Sequence, residues 1–437
     1  MNTFFEKTVD ANSFLKVIFG HLIVLISLYT IFYLVGQFSI TPTSETVIQY
    51  DAGWYQKISQ GGYFEDEKGH SGVAFFPLFP IIWRFFQLSP IGICILNTSF
   101  FYLAFWGVSK IFNLKIKEIL LYLSISSILF FYLPFAESVF FLTSSMALIG
   151  IFKSNQKNKH RYGWKGLAIV GLLLASMTRP SMLFFFPAIF FMEFIHYKKR
   201  SDTIQNILVY SFLVILGMMI VVWIQYNATG EWFAFFNTQS EQWDNKLQLP
   251  QLPFRTWGGS KRMWLDGLAF CSTLAAFLFC TRWFWKWILN QFLLENKPPK
   301  AVLFSMVYLT MAGVFTVFFH GEDPIGGTTL MAMNRYVFAT PFFLLAMIYL
   351  FKNSPFEGKD MMWFWIFLFL NLVLLGAFAP SNFPNHLRTI VYLLFIFSFL
   401  SFHFRKTYLW SWILVYTINL ILQINLIDSY LNGIWVG

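Results

Sequence analysis

The run IQNILVYSFLVILGMMIVVWIQY, from Ile204 to Tyr226, spans 23 residues without one Asp, Glu, Lys or Arg. As a helix rising 1.5 Å per residue it crosses a hydrocarbon core of about 30 Å. Similar runs recur from end to end of the 437-residue chain, which is 57% hydrophobic and 12% charged. Soluble domains carry about 25% charged residues, so a soluble enzyme is excluded. Lipid cannot satisfy exposed backbone donors and acceptors, which leaves helices or a closed barrel. The runs are too continuously apolar for the in–out alternation of a membrane barrel. The expected fold class is therefore all-α, a polytopic integral membrane protein.

The predicted spans are 16–38, 90–112, 118–133, 135–152, 166–178, 181–196, 204–226, 263–281, 301–319, 336–352, 361–378, 387–404 and 408–427. Several fall short of the 17–25 residues of a full crossing, and breaks at Pro134 and at Arg179-Pro180 suggest bent or re-entrant pairs, so roughly 11 to 13 crossings are expected. The first run lacks a small-residue cleavage site after it and reads as a retained helix rather than a signal peptide. With the N-terminus cytoplasmic, 21 of the 31 Lys and Arg fall on the cytoplasmic side, as the positive-inside tendency requires. Topology thus accounts for the +10 net charge, and a nucleic-acid partner is excluded. Cys94, Cys271 and Cys280 show neither metal-ligand spacing nor a disulfide pattern.

Residues 39–89 and 227–262 form the two long extracytoplasmic loops of what reads as one membrane domain over 1–437. Both interleave aromatic and polar residues, as elements at headgroup level do. The longest cytoplasmic loop, near 282–300, is too short for a nucleotide-binding unit of about 30 residues.

The first outer loop contains Tyr50-Asp51-Ala52-Gly53-Trp54-Tyr55-Gln56-Lys57-Ile58-Ser59-Gln60-Gly61-Gly62-Tyr63. Wound as a helix, it places Asp51, Trp54, Tyr55 and Ile58 on one face, with Gln56, Ser59 and Gln60 opposite and Gly61-Gly62 ending it. A carboxylate on an apolar interfacial face is either the helix N-cap or a catalytic group, and the two readings are compatible. Downstream, Ala74-Phe75-Phe76-Pro77-Leu78-Phe79-Pro80 breaks a hydrophobic run where it enters the bilayer. Such a break is either a kinked re-entry helix or a cavity wall.

Asp-x-x-Trp-Tyr-x-x-Ile-x-x-x-Gly-Tyr from Asp51 to Tyr63, followed by Ala-Phe-Phe-Pro-x-Phe-Pro, resembles the signature of the PIG-V-like mannosyltransferases. That family comprises GPI mannosyltransferase II and its prokaryotic relatives, in the glycosyltransferase-C superfamily. Shorter echoes are Phe135-Ala136-Glu137-Ser138, Thr178-Arg179-Pro180 and Asn334-Arg335-Tyr336; Thr178-Arg179-Pro180-Ser181 departs from an expected Arg-Ser-Asn-Gly-like sequence. The resemblance implies a glycosyltransferase-C-like fold and transfer of a hexose, mannose above all, from a polyprenyl-phosphate donor on the outer face. It also implies that Asp51 is the general base, with inversion at the anomeric carbon. The acceptor is a glycan, glycolipid or protein.

A departing phosphate needs cations, and a membrane-buried arginine is a functional candidate by default. Arg335, after the polar loop His320-Gly321-Glu322-Asp323-Pro324, is the first choice for the phosphate, and Arg179 the second. Either is otherwise an anchor snorkelling to water. Glu137 is a candidate to bind the acceptor sugar or orient Asp51, or else a solvated cap; His70, Tyr55 and Tyr63 complete the candidate substrate-binding set. Glu65-Asp66-Glu67 and Glu322-Asp323 lack ordered ligand spacing, so neither metal nor cofactor is expected. Two competing readings are a transporter or lipid flippase and a non-catalytic scaffold. The transporter would favour charges at the bilayer midplane and repeated halves, whereas these candidates gather at span ends. A reporter fused after Tyr63 is expected to lie outside the cytoplasm; a cytoplasmic signal would invert the topology.

Overall fold

The computed structural model describes residues 8–66, 69–156, 159–197, 200–252, 254–256, 263–289, 297–320, 326–330, 332–353, 366 and 409–437. Helix α1 (Ala11–Leu34) leads to α2 (Asp51–Gly61), α3 (Leu78–Phe86) and α4 (Pro90–Ile111). There follow α5 (Ile116–Ser124), α6 (Glu137–Ser154), α7 (Arg161–Ser176), α8 (Phe185–Ile195) and α9 (Arg200–Thr229). After a single turn at Ala234–Asn237 come α10 (Met263–Ile288), α11 (Lys300–Phe318), α12 (Met333–Val337), α13 (Pro341–Asn353) and α14 (Leu409–Leu431). The strands are two-residue pairings, Lys246–Leu247 with Phe319–His320 and Phe254–Arg255 with Thr328–Thr329. Among the described residues, six helices are long and apolar enough to cross a membrane: α1, α4, α9, α10, α11 and α14. Pro180–Ile195 and Pro341–Leu350 are shorter apolar helices. The chain is a multi-pass, all-α membrane protein. Apart from Ile366, the spans predicted over 361–378 and 387–404 lie outside the described residues.

Burial separates lipid-facing helices from core helices. Helix α1 exposes Phe19 and Ile23, and α9 exposes Leu208, Met219 and Trp223, which is the arrangement an apolar solvent permits. Helix α6 is buried along nearly its whole length, and α11 almost as completely. Helices α6 and α7 cross closely enough that a Cβ on Gly171 would lie 2.4 Å from the Ala147 nitrogen, and one on Gly150 2.4 Å from the Ala168 nitrogen. Glycine is required at both crossing points.

Both predicted breaks are real, and both are short 3-10 segments: Ser126–Phe131 before Pro134, and Pro180–Phe184 after Arg179. Irregular backbone inside a membrane needs protein partners. Asn97 of α4 donates to the carbonyls of Leu133 and Phe135 at 2.7 and 2.9 Å. Tyr122 donates to Phe338 O at 2.9 Å, and Gln423 of α14 to Ile125 O at 3.4 Å. These pins let α5 end early and the chain turn so that Glu137 begins α6.

Chain direction then sorts the charged residues. Helix α6 leaves Glu137 and α7 returns to Arg179, so both sit at one end of the bundle. At the far end Lys300 Nζ lies 2.5 Å from Glu193 Oε1, and Thr8 bridges Lys115. Replacing Gly171 by Leu is expected to destabilise the fold by about 1–3 kcal/mol through overpacking of α6 on α7. An unchanged unfolding midpoint in detergent would contradict that crossing.

Candidate active site

Helix α2 begins at Asp51, and Tyr50 takes the capping position with φ 52° and ψ −122° and without a side-chain cap bond. Positive φ in a non-glycine residue costs on the order of 1–3 kcal/mol and persists only where the surroundings hold it. Asp51 therefore does not cap the helix. Its Oδ2 instead accepts from Arg335 Nη1 at 2.7 Å. At the other end Gly62, with φ 88°, donates to Ile58 O and closes the helix. Tyr55 and Ile58 are buried as the helical pattern predicts. Ser59, expected on the outer side, is also buried, because Arg84 of α3 reaches over to donate to its carbonyl at 2.7 Å.

Arg335 is the hub. Its Nε donates to Glu137 Oε1 at 2.6 Å while Nη1 holds Asp51, so one guanidinium bridges two carboxylates. Arg179 Nη1 approaches the same Glu137 oxygen at 3.3 Å, an ion-pair distance without hydrogen-bond alignment. The Glu137 side chain is wholly buried, those of Arg335 and Arg179 are 6% and 8% exposed, and that of Asp51 is 20% exposed. Glu137 is thus not a solvated cap, and neither arginine snorkels. The dipole at the start of α6 favours the Glu137 carboxylate. Aromatic faces complete the enclosure: Phe130, Phe135 and Trp435 lie 5.0, 4.9 and 5.7 Å from the Arg335 guanidinium, and Tyr336 lies 4.8 Å from that of Arg179. Each such contact adds about 0.5–2 kcal/mol.

Tyr55 packs edge-on against Phe75 and Phe79 beside this cluster. Burial raises its phenol above the ordinary range; Glu137 and Asp51 add to the rise, and the two arginines oppose it. It stays a neutral donor. Tyr63 donates to Phe75 O at 2.9 Å, and burial likewise raises its phenol, against a hydrogen bond with Gln225. His70 stands apart: its ring pairs with Asp66 at 3.3 Å and packs on Trp243, with no contact to the four charges. The fold thus joins Asp51, Glu137, Arg179 and Arg335, with Tyr55 adjoining, and leaves His70 in the loop.

Sequence reasoning missed the residue that aims Arg335. Asp266, 2% exposed, accepts from the Asn334 backbone N–H at 3.0 Å and from Asn334 Nδ2 at 2.8 Å, and also takes the Thr256 hydroxyl. Asn334 Oδ1 accepts from Ser127 at 3.0 Å. Asp266 is the one acidic residue in the predicted span 263–281, and an intramembrane carboxylate was the signal that would have found it. Among the described residues, no group of three or more His, Cys, Asp or Glu is placed to hold a metal ion.

The fold is similar to that of ArnT from Cupriavidus metallidurans, whose crystal structure is bound to undecaprenyl phosphate. The TM-score is 0.50 at 12% sequence identity, over 95% of this chain and 78% of that one. The likeness establishes that the chain shares the polytopic, all-α fold of that protein. No family model matches the sequence, and no curated protein matches it.

Removing one partner of a buried ion pair strands the other charge, at about 3–5 kcal/mol. Glu137→Gln removes the carboxylate paired with Arg179 and one of the two held by Arg335, so a loss of that order is expected in unfolding experiments. Wild-type stability in that variant would show the cluster to be water-filled rather than enclosed.

Proposed function

We propose that this protein is an inverting membrane glycosyltransferase that moves a hexose, mannose by its PIG-V-like sequence stretch, from a polyprenyl-phosphate donor to an acceptor hydroxyl. Fold likeness to ArnT supports a lipid-phosphate donor. The single observation that carries the reading is Asp51 paired through Oδ2 to Arg335, at a bundle end ringed by aromatic residues.

The roles follow from which atoms are already engaged. Asp51 Oδ2 is occupied by Arg335, and Oδ1 has no partner among the described hydrogen bonds. Oδ1 is the oxygen that takes a proton from the acceptor hydroxyl as that oxygen attacks the anomeric carbon. The bond from that carbon to the phosphate oxygen breaks on the opposite face, and the configuration inverts. Arg335 gives its Nε and Nη1 to two carboxylates and serves to hold Asp51 in place. Arg179, whose buried Nη1 lacks a hydrogen bond, is the guanidinium that takes the leaving phosphate. That reverses the order of preference drawn from loop length. Glu137 holds both arginines; Tyr55 and Tyr63 line the approach, and His70 lies outside it. Arg179 supplies the cationic group a departing phosphate needs, and the proposed reaction uses no metal. The positive-inside tendency puts the N-terminus in the cytoplasm and this end of the bundle outside.

Purified protein given polyprenyl-phosphate mannose is expected to release polyprenyl phosphate, in EDTA as well as without it. Asp51→Asn, which keeps size but removes the base, is expected to lower turnover by about 10²–10⁴-fold while inserting normally. Full activity in that variant, or turnover with nucleotide sugars alone, would overturn the reading. Arg179→Lys is expected to lower kcat/KM for the donor by about tenfold or more, and an unchanged kcat/KM would return the phosphate to Arg335.

A further inference from the structure

The backbone just before Asp51 is held by a part of the chain nearly four hundred positions away. Tyr430, at the end of α14, is 1% exposed. Its hydroxyl lies 2.8 Å from Val47 O and 3.1 Å from Gln49 O, and receives the Gln49 N–H at 3.3 Å. Past the helix, Gly433 turns with φ 70° and its carbonyl accepts the Tyr50 hydroxyl. Trp435 then packs edge-on against the Tyr50 ring at 5.0 Å and lies against the Arg335 guanidinium. A Cβ on Gly437 would lie 2.5 Å from Arg335 Cδ. So Val47–Tyr50 and Arg335 are both gripped by Tyr430–Gly437, and the gripped turn contains Tyr50, the left-handed residue adjoining Asp51.

We propose that Tyr430 is a positioning residue, and that Tyr430–Trp435 acts as a clamp keeping Tyr50 in its strained conformation so that Asp51 faces Arg335 and the acceptor. The clamp touches no proposed substrate atom and acts through the turn. This rests on the reading of Asp51 as the base. It extends that reading by giving Tyr430–Trp435 a role in turnover rather than in donor binding.

The test uses the full chain in lipid vesicles with polyprenyl-phosphate mannose as donor. Turnover is counted per polyprenyl-phosphate binding site, so that misfolded protein does not register as slow enzyme. Tyr430→Phe keeps the ring and removes the hydroxyl. It is expected to lower kcat about tenfold while the donor KM stays within about twofold, the pattern of an interaction expressed in the transition state. Tyr50→Phe, which cuts only the bond to the Gly433 carbonyl, is expected to act in the same direction and serves as the test should Tyr430→Phe fail to insert. Because both act on one turn, the double variant is expected to fall no more than about twofold below the worse single variant. Unchanged kcat in the single variants, or losses that multiply in the double, would overturn the clamp. Asp51→Asn run alongside separates the two claims. If it is inactive while Tyr430→Phe is fully active, the clamp alone falls. If Asp51→Asn is active, the assignment of the base falls and takes the clamp with it.

Discussion

The structure depends on a charge-neutral cluster placed where charge is most expensive. An isolated ion in an apolar interior costs several kcal/mol even after relaxation, and no helix of this protein could carry one alone. Two arginines and two carboxylates cancel each other, and Arg335 makes the arrangement economical by giving separate N–H groups to Asp51 and Glu137. Those partners are 284 and 198 positions away in the chain. Meeting their mutual demand fixes where α2, the start of α6 and α12 stand relative to one another. The aromatic rings around the guanidiniums keep water from competing for the same N–H groups.

Irregular backbone makes this convergence possible. A bundle of unbroken helices would send its side chains sideways into neighbouring helices, but here the chain stops and restarts at the level of the cluster. The 3-10 segments at Ser126–Phe131 and Pro180–Phe184 bring Glu137 and Arg179 to helix starts and turns, where side chains can face along the bundle. Asn97 and Gln423 satisfy carbonyls flanking the first of these breaks. Those buried polar residues are spaced along apolar helices for the sake of the backbone, and through it they serve the site.

A bundle end is also the place where a lipid carrier and a water-borne hydroxyl can meet, which is the requirement of the proposed transfer. A pole ringed by Trp, Tyr and Phe offers low dielectric to strengthen charge–charge contacts, and an edge where polar substrates need not enter hydrocarbon. The far pole, with Lys300 on buried Glu193, ties helices together.

Membrane class, helical architecture, most span positions and the Asp51 helix were legible in the sequence, because hydropathy and helical periodicity are local properties. The Ile204–Tyr226 run announces its environment without reference to any other residue. Arg179, Arg335 and Glu137 could be singled out as costly charges beside apolar runs, but not joined, since nothing near Glu137 in the chain says which arginine will face it. Only the tertiary structure decided that Asp51 binds Arg335 instead of capping its helix, that Asp266 aims Asn334 and Arg335, and that Tyr430 and Trp435 lie over the same spot. Those facts depend on contacts between segments far apart in the chain. A pairing of that kind is set by the global packing of helices, and leaves in the local sequence only an unpaired charge awaiting its partner.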